Sequence, residues 1–456
     1  MIKFNFKSLV CAGYVMMMLV GCTLNEHSKT DAKPPKPLVT YKMNEPIPLD
    51  KKENDRIYRA CKMFYDTTIF PSGFNGGIIV AKGGNIVFEK YRGSINLDGL
   101  DSITATTPLH IASVTKTFTA MAILKLQEQG KLSVNDTLTK YFPDFNYFGV
   151  TIKTLLNHRS GLPNYLHFLE QVGWSEDSML QNKNILNLLI NKKTVLTEAV
   201  PADTKFAYCN TNYALLALII EQVSGMSYAQ YLKENIFDAI GMKNTFVNYK
   251  LDSNTLSKSF DWKGRRIYNT CLDDIYGDKN IYSTVGDLLK WDRLLADSVF
   301  LSNKSLEAAY TPYSNEKPGT KNYGFGWRMN VYDNNKKIIF HNGWWHGNNA
   351  TFIRLIKEDA TIIVLSNRFA RSTYRAKVLV NIFGDYFNLE TEDAENIVPE
   401  NIPEKFLVNP KKMKKGMFTK TDSLMYEDKM GKENGILFPD KMIRPNKVKS
   451  KIRRRK

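Results

Sequence analysis

The stretch His110-Ile111-Ala112-Ser113-Val114-Thr115-Lys116-Thr117-Phe118-Thr119-Ala120-Met121-Ala122 decides how this chain is read. It has the composition of a buried helix of small and apolar residues, entered from a Thr- and Pro-bearing loop at 104–108. A hydroxyl and an amine stand three residues apart near its start. Three residues is close to one helical turn, so Ser113 and Lys116 share a face. An amine on an otherwise apolar helix is stripped of water, which disfavours its charged form and is expected to draw its pKa toward neutrality. Such an amine can take the hydroxyl proton, and the positive end of the helix dipole favours the anion that results. Ser-x-x-Lys by itself is common on exposed helix surfaces, so the reading depends on what stands elsewhere in the chain.

The 456 residues, 43% hydrophobic and 12% aromatic, suffice for a sizeable core. Toward the N-terminus, Lys3 and Lys7 precede an apolar run at 9–20 that is too short to span a bilayer as a helix and suits the core of a signal peptide. The run closes as Leu19-Val20-Gly21-Cys22, which resembles the bacterial lipobox. That resemblance implies cleavage before Cys22 and a lipid on Cys22, with an uncleaved anchor or an ordinary signal as the alternative. Residues 1–21 are therefore expected to be a lipoprotein signal peptide, and 22–53, polar and proline-bearing, a flexible tether. The expected location is the envelope of a bacterium. There the chain would be lipid-anchored to a membrane, most simply the outer one since Thr23 rather than Asp follows Cys22, and would face the periplasm or the surface. Cys61, Cys209 and Cys271 remain in the body, an odd number without close pairing. They describe no disulfide framework, and no Cys-x-x-Cys or clustered histidine spacing suggests zinc, so neither metal nor other cofactor is expected.

The body opens near Asn54 with Ile57, Ala60, Cys61 and Phe64 at helical spacing. Two β-rich runs, 76–81 and 86–91, flank Lys82-Gly83-Gly84-Asn85 and predict a hairpin. The nucleophile helix is expected to stop at Gly130. From 131 to about 300 the chain reads as short helices and loops, including 151–163 (a helix ended by Gly161 and Pro163), 213–223, 228–240 and 285–295. Strand patterns return at 323–329, 337–341, 351–356 and 360–365, as an antiparallel meander, before a closing helix at 373–387. The expected fold is α+β, an antiparallel sheet of about five strands flanked by helices, with an inserted, mostly helical lobe.

Three motifs in order now make a resemblance plain. Ile111-Ala112-Ser113-Val114-Thr115-Lys116, Tyr208-Cys209-Asn210 and His341-Asn342-Gly343 resemble the three motifs of the class C β-lactamase and penicillin-binding-protein group of serine hydrolases, which also holds D-alanyl-D-alanine carboxypeptidases, D-aminopeptidases and esterases. The linking phrases His158-Arg159-Ser160-Gly161-Leu162-Pro163 and Ile281-Tyr282-Ser283-Thr284 fit the same pattern, and the resemblance spans roughly 54–388, within a domain taken as 54–390. It implies a β-lactamase/transpeptidase-like fold and acyl transfer through a covalent serine ester. It further implies Ser113 as nucleophile with Lys116 and Tyr208 handling its proton, either of them as base. Asn210, His341 and Gly343 would bind or orient substrate, and the backbone N–H groups of Ser113 and Trp344 would form the oxyanion hole. Taken one at a time, Tyr208 could be a packing ring, Asn210 a helix cap, and Trp344 with Trp345 core aromatics.

His341 stands where β-lactamases proper carry lysine, which weakens the cation that grips a substrate carboxylate. Cys209 in the second motif reads as a small buried spacer. The expected substrate is accordingly a small peptide, amide or ester, handled as by a D-Ala-D-Ala carboxypeptidase, a D-amino-acid peptidase or an esterase. The alternatives are a penicillin-binding sensor with little turnover and a weak β-lactamase. Residues 391–456 form a tail read as basic and disordered: 411–456 hold 16 Lys and Arg against 5 Asp and Glu, most of the net +17 of the whole chain. Such runs suit anionic lipid or cell-wall polymer, or simply solvent. Nucleic acid is not an expected partner of an exported, tethered chain, despite a pI near 9.3.

Overall fold

The first helix begins earlier than the spacing suggested, at Lys51, because Asp50 caps it by accepting the Glu53 N–H; it runs as Lys51–Phe64 and buries Ile57, Cys61 and Phe64. The computed structural model describes residues 39–196, 200–248, 256–334 and 336–386. Cys22, the signal segment, most of the tether and the basic tail lie outside the described residues. The part of the expected tether that is described already packs on the body: the Tyr41 ring meets Phe300 edge-on at 5.6 Å, and the Asn44 N–H reaches Asp297.

In chain order the strands are β1 (Gly76–Lys82), β2 (Asn85–Arg92), β3 (Leu109–His110), β4 (Phe246–Val247), β5 (Ser259–Phe260), β6 (Arg266–Ile267), β7 (Ile281–Ser283), β8 (Lys321–Tyr323), β9 (Arg328–Val331), β10 (Lys337–Trp345), β11 (Asn348–Leu355) and β12 (Ala360–Ser366). The main sheet has seven strands in the order β2-β1-β12-β11-β10-β9-β8, all antiparallel, rather than the expected five or so. One reason is that the run 323–329 is not a single strand. The chain doubles back through Gly326, at φ +79°, where a Cβ would come within 2.5 Å of the Ala120 Cβ. This turn sits directly on the Thr115–Glu128 helix, and only glycine fits it.

β1, β11 and β12 are buried almost throughout because both faces of the sheet are covered. Alternation divides their side chains between two cores. Ile78, Val80, Ile362 and Val364 join the Lys51–Phe64 helix and the C-terminal turns. Ile79, Ile363 and Leu365 join the larger core under the helical lobe. The closing helix is shorter than expected, Ser372–Arg375 followed by a tighter 3-10 stretch, Ala376–Ile382.

The inserted lobe contains helices Ile152–Leu156, Tyr165–Phe168, Asn182–Asn191, Asn210–Ser224, Tyr228–Leu232 and Val285–Ala296, but it is not wholly helical. β3, β7 and β4 form a small sheet beneath it, and β5 pairs with β6. The helix expected over 151–163 stops at Leu156, since His158 takes a left-handed backbone, φ +58°, that turns the chain. The opening stretch is likewise not one helix. His110 pairs in β3, Ala112–Val114 is a 3-10 turn with Ala112 at φ +47°, and the α-helix proper is Thr115–Glu128.

Candidate active site

The Thr115–Glu128 helix is buried on nearly every side as it runs through the larger core, so Lys116 is fully buried, whereas Ser113 on the preceding turn is only half-buried. The Lys116 Nζ donates to Ser113 Oγ at 3.0 Å, to Asn210 Oδ1 at 2.7 Å and to the Asp278 carbonyl at 3.0 Å. Three acceptors match the three protons of an ammonium, which is how a buried amine escapes its desolvation cost. Asn210 thus serves Lys116 rather than capping its own helix.

The turn carrying Ser113 is held from behind. The Ala112 N–H donates to His110 Nδ1 at 3.0 Å, so the His110 proton is on Nε2 and faces Asn280 Oδ1 at 3.0 Å. In front lies β10. β9 pairs with β10 only over Lys337–Phe340, so the stretch from His341 onward runs beyond its neighbour and meets the Ala112–Val114 turn instead. Gly343 permits that approach: a Cβ there would stand 2.3 Å from the Ile111 carbonyl oxygen and 3.0 Å from the Ala112 Cβ. Trp344, the next residue, turns its indole to the other face, where its ring lies 5.5 Å from Phe369.

Tyr208 precedes the Asn210–Ser224 helix, and Lys116 Nζ lies 5.0 Å from its ring centroid. Cys209 is buried, its sulfur toward the Leu162 and Pro163 carbonyls, as befits a spacer. The geometry therefore brings Ser113, Lys116, Tyr208, Asn210, His341 and Gly343 to one seam between sheet and lobe.

The Beta-lactamase family profile matches residues 73–383, a span that contains all three motifs. The chain belongs to the beta-lactamase family. Over 364 residues it is 31% identical to penicillin-binding protein 4* of Bacillus subtilis, covering 75% of this chain and 80% of that relative. Among solved structures it is similar to the octameric penicillin-binding protein homologue from Pyrococcus abyssi, at 26% identity, with 71% of this chain and 77% of the other covered and a TM-score of 0.60. The D-amino acid amidase from Ochrobactrum anthropi shares the fold, at 21% identity over 73% and 97% of the two chains, with a TM-score of 0.57. Members of the beta-lactamase family are mostly serine hydrolases and include penicillin-binding proteins. The Bacillus relative is in keeping with a bacterial cell envelope; among the described residues no helix is long and apolar enough to cross a membrane.

Two residues of this beta-lactamase family site were missed in the sequence. The first is Arg328, at the start of β9, with its guanidinium carbon 4.6 Å from the Tyr208 ring centroid and 5.9 Å from that of Tyr323. A signal existed: Arg328 is the charged residue closing the Tyr-Gly-Phe-Gly-Trp run that leads into the strand beside the third motif. The second is His158, whose ring lies 4.1 Å from that of Tyr208.

The third-motif histidine is itself neutral. His341 Nδ1 faces the Asn342 carbonyl at 2.7 Å and so carries the proton, leaving Nε2 to accept from the Tyr323 hydroxyl at 3.1 Å. Burial, reinforced by the charges of Arg328 and Lys116, holds its pKa well below the usual histidine range. Burial does the same to His158, with help from Lys116 and Arg328, and pushes His110 down to about 4.

Three buried neutral imidazoles are expected to make the family member acid-labile. The unfolded chain takes up these protons near pH 6.5 while the native form refuses them, so stability is whole above pH 6.5 and drains away as the pH falls toward 4. Each fully titrating histidine contributes roughly 1.4 kcal/mol per pH unit in that window. Thermal melts should accordingly drop by roughly 5 °C between pH 7.5 and 5.5, above the range of ordinary carboxylates. A flat profile over that interval would contradict the neutral assignment.

Proposed function

We propose that this chain is a serine hydrolase that cleaves small peptides or amides ending in a free carboxylate, in the manner of a D-alanyl-D-alanine carboxypeptidase. The observation that carries the reading is the placement of Arg328 against Tyr208, beside a Ser113–Lys116 pair in hydrogen-bond contact. With His341 neutral, Arg328 is a permanent cation at the seam beside Lys116, and its planar fork suits a carboxylate.

The chemistry follows from the positions. Ser113 Oγ attacks the scissile carbonyl carbon as its proton passes to the Lys116–Tyr208 pair. The carbonyl oxygen, now an anion, is received by the proposed N–H groups of Ser113 and Trp344. Collapse of the tetrahedral adduct breaks the C–N bond, and the stored proton goes to the departing amine. Water then attacks the ester carbon and returns Ser113 to its free form. Because Lys116 has an acceptor for each ammonium proton, while two cations face the Tyr208 ring, a negative charge on the phenolic oxygen is stabilised. This favours Tyr208 as the group that takes the serine proton.

Arg328→Gln tests the substrate. With a D-Ala-D-Ala peptide bearing a free C-terminus, KM should rise about 10–100-fold, the worth of one charge-assisted contact. With the same peptide as its C-terminal amide, little should change. Equal losses on acid and amide would remove the carboxylate from the proposal and leave an amidase or esterase.

A further inference from the structure

His158 is a residue that packing alone does not explain. Its carbonyl accepts the Ala207 N–H at 2.9 Å and its Nδ1 accepts the Cys209 N–H at 3.1 Å. Between those two bonds, its ring lies against the Tyr208 ring at 4.1 Å with 31° between the planes. Three consecutive residues, Ala207 and the first two of the second motif, Tyr208 and Cys209, are thus gripped by one side chain and its own backbone.

The grip is costly in two ways. The left-handed backbone at φ +58° is strained for a residue with a Cβ. With Nδ1 accepting, the proton must sit on Nε2, and that atom is buried without a hydrogen-bond partner. A buried donor left unsatisfied carries the full penalty of its lost hydration. The rings of Tyr213 at 5.1 Å and Tyr323 at 4.7 Å close the remaining sides. A position selected only to fill space would hold an apolar side chain and escape the orphaned N–H.

We propose that His158 is the positioning residue of Tyr208, fixing the height and tilt of the phenol over Lys116 by clamping the backbone on both sides of it. The proposal rests on the reading above that Tyr208 handles the serine proton. A neutral ring suits the task, because it adds no third cation beside Lys116 and Arg328.

The test is a pair of substitutions that split the acceptor from the ring. His158→Asn places an amide oxygen near the position of Nδ1 and tolerates the left-handed backbone, but leaves a void. His158→Phe keeps the ring and the volume but strands the Cys209 N–H. Labelling of the full chain by a fluorophosphonate gives kinact and KI separately. For His158→Phe we expect kinact to fall about 10–100-fold with KI unchanged, and for His158→Asn kinact to stay within about fivefold of the parent. In a Tyr208→Phe background His158→Phe should cost nothing further, since the group it positions has gone.

A space-filling role predicts the reverse order, with Phe the better replacement, and that order would overturn the proposal, as would losses that simply multiply with Tyr208→Phe. If His158→Phe does not fold, His158→Ala takes its place and should be at least tenfold slower than His158→Asn; equal rates overturn the proposal. A silent Tyr208→Phe removes the underlying role of Tyr208 as well. A costly Tyr208→Phe with Phe at 158 no worse than Asn removes only the clamp.

Discussion

Ser113→Ala is expected to abolish covalent capture. The parent chain, exposed to a fluorophosphonate and examined by intact mass, should gain one adduct per molecule; the variant should gain none. Ser113 is partly exposed, and a lysine donates to its oxygen at 3.0 Å. The replacement removes a single half-buried oxygen, so melting should move by no more than about 1 kcal/mol equivalent. Loss of the adduct would then report chemistry and not unfolding. Penicillin in place of the phosphonate separates the remaining readings. An adduct that persists for hours fits a peptidase or a sensor, whereas rapid release fits a β-lactamase. An adduct retained in Ser113→Ala would mean that another side chain is the nucleophile.

Lys116→Met should slow the same labelling about a thousandfold, within the usual reach of general acid–base catalysis. Methionine nearly matches the volume of lysine and takes the same helical rotamers, so the Thr115–Glu128 helix survives. What disappears is the proton route and the ammonium that ties Ser113, Asn210 and Asp278 together. Stability should change little, because losing three hydrogen bonds is offset by no longer burying a charge. Stopped labelling with an unchanged melt is the expected pair of results. A rate within tenfold of the parent would show that Tyr208 does not need Lys116.

Much of this architecture was legible in the sequence, and the reasons for the rest are specific. The hairpin of β1 and β2 was marked by Lys82-Gly83-Gly84-Asn85 between β-rich runs, and β10 to β12 by apolar runs separated by turn residues. The Ser113–Lys116 contact followed from helical spacing. Failures came where backbone conformation is set by distant partners. Nothing local in Thr154-Leu155-Leu156-Asn157-His158 shows that the helix ends at Leu156, since the reason, the Ala207 N–H on the His158 carbonyl, is about fifty residues away. The split of 323–329 into β8 and β9 likewise depends on Gly326 lying against Ala120. Arg328 escaped notice because strand patterning treats a charged residue at a strand end as a solvated one, while here its surroundings are Tyr208 and Tyr323.

The pairing of residues 76–82 with 360–366 has a consequence for how the molecule is made. During synthesis β1 can form only its hairpin with β2, and its other edge waits for a partner almost three hundred residues downstream. Until β12 emerges, that row of N–H and C=O groups is a template for the wrong strand, and the large core beneath it has no floor. Folding must therefore be slow and late. A chain interrupted before about residue 366 lacks the strand that closes the sheet, so it should be handled in the cell as waste rather than as a weaker enzyme.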